Sequence, residues 1–529
     1  MHRLPLGHSK TRAHSAQTSA RRRSRNRPES SAGREVLVDL SKCRYDVVHF
    51  VVEHLLGFRV IKHEGCTDAA LYWSDLSLTV LRVQRLLTKR CVCNHFPGIE
   101  QLCRKVPMAR LLTRLAAEFP KDYDFVPLTF TSYEEYVKFR QHRKSPDATT
   151  TTQQQFYICK PNGGCQGRNI FLTSTISPHA FEGAVSSAVL KVHSPAAIQA
   201  QSNVPMSYVV QHYIDGPMLV MKRKCDLRCY VLVTSMSPLT MYFYREGIVR
   251  ICRDEYEAPN SENKGHSTIH LANYAVNKSQ HTDSSCDPHD SRRLRSQDVE
   301  LKWPFHRYST YVLKHILSNS ELLNKLRQSA NHTKGVGYSV AVANDAVRHL
   351  WEDIHDVCVK TVLASQHVIA PLMRFYDSVP AAPLETEDSP TENSGDDVEP
   401  AASPNGPLET PGSAARLSPC FELLGFDILV DDQLKPWLVE VNHSPSWFTD
   451  SAFDFELKSS VIHDALRIAF LPHLTTDPSC GRQGRRRTFN GPKTSNSERP
   501  NDFVLIYPTR DRQVRFGDIV AYQERETRL

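Results

Sequence analysis

Between residues 420 and 446 the chain reads CFELLGFDILVDDQLKPWLVEVNHSPS, two apolar runs of strand character split by a short polar stretch. Residues 426–430 and 437–441 alternate as half-buried strands do, and residues 431–435 supply a turn, so the segment folds back on itself as an antiparallel pair. A turn centred on Gln433 and Leu434 sets Asp427 opposite Glu440 and leaves Asn442 on the same face, because strand side chains repeat every two residues. Ile428, Val430, Val439 and Val441 fall on the other face. Two carboxylates on a half-buried face repel each other and lose hydration, so the arrangement calls for a cation between them. Oxygen donors suit a hard ion, and magnesium takes one or two carboxylates together with phosphate oxygens and water. Asp427, Glu440 and Asn442 are therefore the candidate metal set. In isolation the same residues read as a hairpin with solvated acids on its outer face.

Residues 156–172, FYICKPNGGCQGRNIFL, add a second element: an apolar strand ending at Lys160, a loop with Gly163, Gly164 and Gly167, and another apolar strand from Ile170. With only 22 glycines in 529 residues this is local enrichment, and glycine lets backbone N–H groups approach a phosphate closely. The loop has neither the Gly-Lys-Ser/Thr ending nor the following helix of a P-loop. It reads as a phosphate-covering flap or, more plainly, as a hairpin turn. Residues 208–250 read as three or four strands with turns at Asp215-Gly216-Pro217, Ser237-Pro238 and Glu246-Gly247. Lys224, Asp226 and Arg228 alternate and share one face, either as an ion-pair ladder or, beside a nucleotide, as holders of phosphate and carboxylate oxygens. Arg250, after an apolar strand, completes such a clamp.

From Leu37 to about His473 the chain resembles the tubulin-tyrosine-ligase-like enzymes. The matching blocks are LSKCRYDVV, LYWSD, NHFPGIEQLCRKVPMARLL, FYICKPNGGCQGRNIFL, YVVQHYIDGPMLV, KCDLRCYVLVTS, YREGIVR, HLANYAVNK and the hairpin segment, all in one order. The resemblance implies an α/β (α+β) protein with an ATP-grasp fold and a smaller N-terminal α/β subdomain, adding amino acids to carboxylates of tubulin tails. Gln166 and His443 resemble the branch that elongates existing glutamate chains, where chain-initiating members tend to carry Arg and a small or apolar residue.

Carried over residue by residue, the resemblance implies that Lys105 and Lys160 contact ATP phosphates and that the loop with Gly163, Gly164, Gln166 and Gly167 covers them. Residues 211–214 form the adenine hinge, Gln211 at its start and the peptide groups of Tyr213 and Ile214 reading the base, with Lys224 and Asp226 near adenine and ribose. Arg228, Arg250, Asn273 and Lys278 face the phosphate and carboxylate side, Gln166 and His443 join the amino-acid substrate, and Asp427, Glu440 and Asn442 bind magnesium. Arg228, Arg250 and Glu440 are the expected catalytic residues. The chain departs from the family at Ala272, where most members have Thr, and at Asn169, where Gly is usual. A lost hydroxyl implies slower chemistry, while Asn tolerates left-handed backbone.

A carboxylate is a poor electrophile toward an amine, so the implied route first gives its oxygen the γ-phosphoryl group of ATP. The amine of free glutamate then attacks the acyl phosphate, with magnesium and the cations at Lys105, Lys160, Arg228 and Arg250 offsetting charge. The expected cofactors are ATP and Mg2+; the expected partners are microtubule tails and free glutamate, with neither nucleic acid nor membrane. Two readings compete with glutamate ligation: a ligase of the same family for glycine, tyrosine or a non-tubulin protein, and a microtubule-binding pseudo-enzyme. The intact metal set argues against the second. Nothing resembles the HRD or DFG segments of a protein kinase.

A 529-residue chain that is 40% hydrophobic can bury a large core. The expected division is a basic tail over 1–34, an N-terminal subdomain over 35–130, a central region over 131–370, an acidic insertion over 371–418, the metal hairpin within 419–475 and a basic extension over 476–529. The tail carries nine Arg or Lys against Glu29 and reads as a disordered arm drawn to acidic partners; a transit peptide and a nucleic-acid arm are the lesser readings. Trp351, Ile354, Cys358, Val362 and Leu363 recur at helical spacing before the Pro- and acid-rich stretch 377–418, and residues 279–296 form a smaller polar insertion. The 14 cysteines lack zinc spacing and read as reduced and packed, with Cys91-Val92-Cys93 as two thiols in a linker. No apolar run is long enough for a bilayer and no signal core is visible. The expected location is therefore the cytoplasm and cytoskeleton, including the cilium or flagellar axoneme and basal body.

Overall fold

Sixteen strands in three sheets form among the described residues of the computed structural model, which are 35–63, 68–142, 154–164, 166–182, 207–278, 301–329, 338–377, 417–475 and 500–528. The first sheet is parallel, with β1 (Leu37–Lys42), β2 (Arg59–Ile61), β3 (Leu71–Ser74) and β4 (Val92–Cys93) in the order β2-β1-β3-β4. Parallel strands covered on both faces lose polar alternation, and β3 is buried at all four positions. The second is antiparallel, with β5 (Thr129–Phe130), β6 (Tyr157–Pro161), β7 (Phe171–Thr173) and β8 (Tyr208–His212) in the order β5-β8-β6-β7. The glycine loop joins β6 to β7. The third holds β9 (Leu219–Val220), β10 (Arg223–Met236), β11 (Leu239–Tyr244), β12 (Ile248–Ile251), β13 (Lys302–Pro304), β14 (Glu422–Val430), β15 (Pro436–Asn442) and β16 (Phe503–Tyr507). Residues 208–250 thus supply five strands rather than three or four, and β8 belongs to a different sheet from the rest.

The 14-residue β10 organises this sheet, pairing with β9, β11, β12 and β14. Period-2 alternation divides its work. Leu227, Cys229, Val231 and Val233 enter one core with the helices Phe305–Ser318 and Tyr338–Asp377, while Tyr230 and Leu232 enter another with the helix Ala452–Ala469. Lys224, Asp226 and Arg228 have the parity of Tyr230 and Leu232, so a single strand face passes from charged to apolar along its length. The expected helix before the acidic stretch is Tyr338–Asp377, and Ile354, Cys358, Val362 and Leu363 on it are fully buried.

In the hairpin, Asp427 pairs with Glu440 as the alternation requires, but the register then shifts so that Ile428 meets Leu438. Val439 is the extra residue of a bulge, which turns one strand position out of the pleat. Leu438 therefore takes the core place expected for Val439, which lines a cleft instead. Residues 91–93 are a further correction. They run into strand β4 with Cys91 and Cys93 buried, and the Cys93 Sγ lies 3.3 Å from that of Cys420. Ten of the described cysteines are thiols.

The described residues from Val36 onward form one compact unit, and no helix among them is long and apolar enough to cross a membrane. The basic tail 1–34, residues 279–296, the acidic stretch from 378 to 416 and Arg482, Arg485, Arg486 and Arg487 lie outside the described residues. The C-terminal segment does more than extend the chain: β16 pairs with β11, and the buried Arg512 bonds Asp356 at 2.8 Å and Glu352 at 2.7 Å on the long helix. Arg515 also bonds Asp356, through Nη2 at 3.2 Å, and the Glu352 side chain is 50% exposed, so the loss of Arg512 removes charged hydrogen bonds without leaving a carboxylate buried and alone. Arg512→Ala is expected to lower stability by about 2 kcal/mol, read as a shift of the urea midpoint with an unchanged slope.

Candidate active site

A cleft of about 870 Å³, part of it open to solvent, is lined by residues of the second and third sheets. It gathers Lys105, Lys160, Gly164, Gln166, Gly167, Gln211, Tyr213, Ile214, Lys224, Asp226, Arg250, Asn273, Asp427 and Glu440. Gly163, Arg228, Lys278, Asn442 and His443 do not line it. Lys278 is 55% exposed and 3.8 Å from Asp450. His443 faces a smaller cavity beside Trp73, Asp75 and Trp447, its Nε2 2.7 Å from the Ser77 hydroxyl.

The floor of the cleft is a buried charge ladder. Asp427, 1% exposed, receives Arg228 Nε at 2.6 Å and Nη2 at 3.1 Å, and Arg250 Nη2 at 2.7 Å. Arg250 also grips Asp226 through Nε at 2.6 Å and Nη2 at 2.7 Å. Strand pairing places these groups together, since Asp226 lies opposite Arg250 and Arg228 opposite Asp427. Burial pushes the Asp427 carboxyl up, but the guanidinium groups of Arg228 and Arg250 outweigh it and hold the group well below the carboxylate range. For Asp226 burial wins over Arg250 and the carboxyl is raised. The charge of Asp427 is thus offset by the chain's own arginines, which corrects the argument that the paired carboxylates need an added cation. Neither arginine is an unengaged phosphate clamp.

The other wall carries the lysines. Lys160 donates to Gln211 Oε1 at 2.7 Å and to the Val439 carbonyl, exposed by the bulge, at 3.3 Å. Gln211 is fixed in turn by Thr129 at 2.8 Å. Lys105 begins the helix Lys105–Glu118 and lies 3.4 Å from Glu440 Oε2, while Asn162 Oδ1 receives the Val106 N–H at 2.9 Å and ties that helix to the glycine loop. Gly167 has φ +75°, and a Cβ there would lie 2.9 Å from Val276 and 3.0 Å from Asn273 Oδ1, so the loop rests on the HLANYAVNK segment. Asn169 adopts φ 59°, the left-handed backbone that Asn tolerates, and Ala272 is buried in the cleft wall.

Asp427 Oδ1 accepts one N–H and keeps a lone-pair direction, Glu440 is 21% exposed, and Asn442 follows two positions on. These are all oxygen donors on neighbouring ladder positions, and they fit magnesium completed by phosphate oxygens and water. Sequence reasoning missed Thr129, Asn162, His270 and Gly425. A Cβ at Gly425 would lie 2.9 Å from Pro445 and 3.3 Å from Arg228 Cδ, so only glycine leaves room for the Arg228 stem beside Asp427. A glycine inside an otherwise apolar strand was its signal.

The apposed sheets and their charged cleft define an ATP-grasp-like α/β protein. The chain belongs to the tubulin-tyrosine ligase family, whose family model matches residues 85–303 and 409–478. It is 30% identical over 433 residues to tubulin polyglutamylase TTLL6 of Mus musculus, covering 82% of this chain and 40% of that protein. It is 29% identical over 438 residues to tubulin polyglutamylase TTLL13 of Homo sapiens, covering 83% and 41%. Against a probable beta-tubulin polyglutamylase of Tetrahymena thermophila it is 28% identical over 436 residues, covering 82% and 28%. The chain spans less than half the length of these relatives.

Gly425→Ala is expected to cost about 2 kcal/mol through overpacking, seen as a lower thermal midpoint. Burial, with His95 and Arg104 adding to it, pushes His443 down from near 6.5 to about 4. The unfolded chain therefore binds a proton in that window that the folded one does not, and His443 costs stability as pH falls from about 6.5 to 4. The thermal midpoint of His443→Gln should fall less than that of the unaltered protein between pH 7 and pH 4.5.

Proposed function

We propose that this protein is an ATP- and magnesium-dependent ligase that adds glutamate to carboxylates of tubulin C-terminal tails, elongating existing glutamate branches on microtubules. The observation that carries the reading is the convergence of Lys105, Lys160, Lys224 and the Asp427–Glu440 ladder on one cleft beneath a glycine loop. The naming of its relatives as tubulin polyglutamylases supports the choice of substrate. The choice of the elongating branch rests on the resemblance at Gln166, which lines the cleft wall. A cytoskeletal location accompanies that substrate. In this reading residues 35–130 are an N-terminal subdomain, and 131–370 with 419–475 make the nucleotide-binding part.

Asp427, Glu440 and Asn442 would hold magnesium, which when bound offsets phosphate charge. Lys160 and Lys105 bind phosphate oxygens from the opposite side, and Gln211 keeps the Lys160 ammonium pointing into the cleft. The glycine loop, seated on Asn273, excludes water from the phosphates. Arg250 and Arg228 hold Asp427 ionised and oriented beside the cleft. The free amine of glutamate then displaces phosphate from the activated carboxylate, forming the amide.

The deciding assay is ATP-dependent transfer of labelled glutamate onto microtubules and onto tail peptides with and without one branch glutamate. Incorporation favouring the branched peptide and lost in Glu440→Gln is expected; glycine or tyrosine incorporation would redirect the reading, and none with any amino acid would overturn it. Burial pushes Lys160 down to about 8, against the pull of Glu440. The protonated form binds phosphate, so affinity for a magnesium-bound ATP analogue should fall as pH rises from 7 to 9. Lys160→Arg should flatten that dependence.

A further inference from the structure

At the hinge end of the cleft, three side chains and a carbonyl form a run of hydrogen bonds with a fixed direction. Lys224 Nζ donates to the Tyr213 hydroxyl at 2.8 Å, that hydroxyl lies 3.0 Å from His270 Nδ1, and His270 Nε2 lies 3.2 Å from the Asn263 carbonyl oxygen. A carbonyl only accepts, so Nε2 carries the imidazole proton. In the neutral ring Nδ1 is then an acceptor and takes the Tyr213 O–H. The Tyr213 oxygen is left with its lone pairs for the Lys224 ammonium. Burial and the Lys224 charge push His270 down to about 4, which keeps the ring neutral at ordinary pH.

The run is built rather than incidental. Lys224, Tyr213 and His270 are each at most 6% exposed, and all three line the cleft. The anchoring Asn263 is itself buried and locked, its Nδ2 donating to Ala258 O at 2.9 Å and its Oδ1 accepting the Asn260 N–H at 2.8 Å. Lysine is a point charge on a flexible four-carbon stem, and aiming it at a ligand costs rotamer freedom unless something else already holds it.

We infer that His270 is a positioning residue for the nucleotide base, acting through Tyr213 to aim the Lys224 ammonium at an acceptor atom of the purine. This rests on the nucleotide reading of the cleft. One Lys224 N–H is committed to Tyr213, and two remain for the base beside the hinge at residues 211–214. His270 touches neither phosphate nor acceptor in this scheme, so its loss acts on nucleotide affinity rather than on the chemical step.

The test is calorimetric binding of magnesium AMP-PNP to the full chain. Tyr213→Phe, which keeps the ring, and His270→Leu are each expected to weaken binding about tenfold, the scale of one hydrogen bond. The double variant should be no weaker than either single, because both break one relay. His270→Gln, whose amide can donate to Asn263 and accept from Tyr213, should recover most of the affinity. Tight binding by both single variants, or losses that multiply in the double variant, overturns the relay while leaving the nucleotide reading intact. Failure of the unaltered chain to bind AMP-PNP overturns the nucleotide reading and the relay with it. Should His270→Leu not fold, His270→Gln and the tautomer of the His270 ring decide. Ring 15N shifts of His270 give a second readout: the Nε2–H tautomer persisting to about pH 5 supports the relay, and the Nδ1–H tautomer refutes it.

Discussion

Four charged side chains, Asp226, Arg250, Asp427 and Arg228, tie the largest sheet together at the point where its chemistry is located. Each ion of such a buried set is expensive to remove from water, and the cost is recovered only when every partner is in place. Pairing across three strands meets that condition, because β12, β10 and β14 each contribute at fixed register. The rest of the cleft depends on it: Asp427 stays ionised and Arg228 stays beside Gly425. Glu440 is held opposite on β15 with an oxygen partly open to the cleft.

The lysines solve a different problem. Lys160 and Lys224 lie on different sheets, and each is held by a neutral oxygen, Gln211 or Tyr213, instead of a carboxylate. A carboxylate partner would neutralise the charge before a ligand arrived. A neutral acceptor fixes direction while leaving the charge unspent, and burial lowers the affinity of both groups for protons.

Much of this was legible in the sequence where a short period fixes geometry. Asp427 opposite Glu440 follows from alternation and a turn, and the long helix from the spacing of Ile354, Cys358 and Val362. The bulge that exchanged Leu438 for Val439 was not, since a register shift leaves no mark in composition. The partners of Arg228 and Arg250 were hidden for another reason: Asp427 is some two hundred residues away, and only strand order brings it near. Cys91 and Cys93 were misread because a two-residue parallel strand is too short to show any period. Gly425 and His270 were written plainly in the chain, but their meaning lies in what they touch.

The order of strands in the largest sheet bears on how such a chain is made. Strand β11 forms early, hairpinned to β10, yet its outer neighbour β16 comes from Phe503–Tyr507. During vectorial synthesis β11 must therefore wait with an unpaired edge while the intervening residues emerge. Open edges template pairing with other chains. A strand made late thus takes over from β11 as the edge of the sheet, and products whose synthesis stops short of it would leave the edge of β11 open to pairing with other chains.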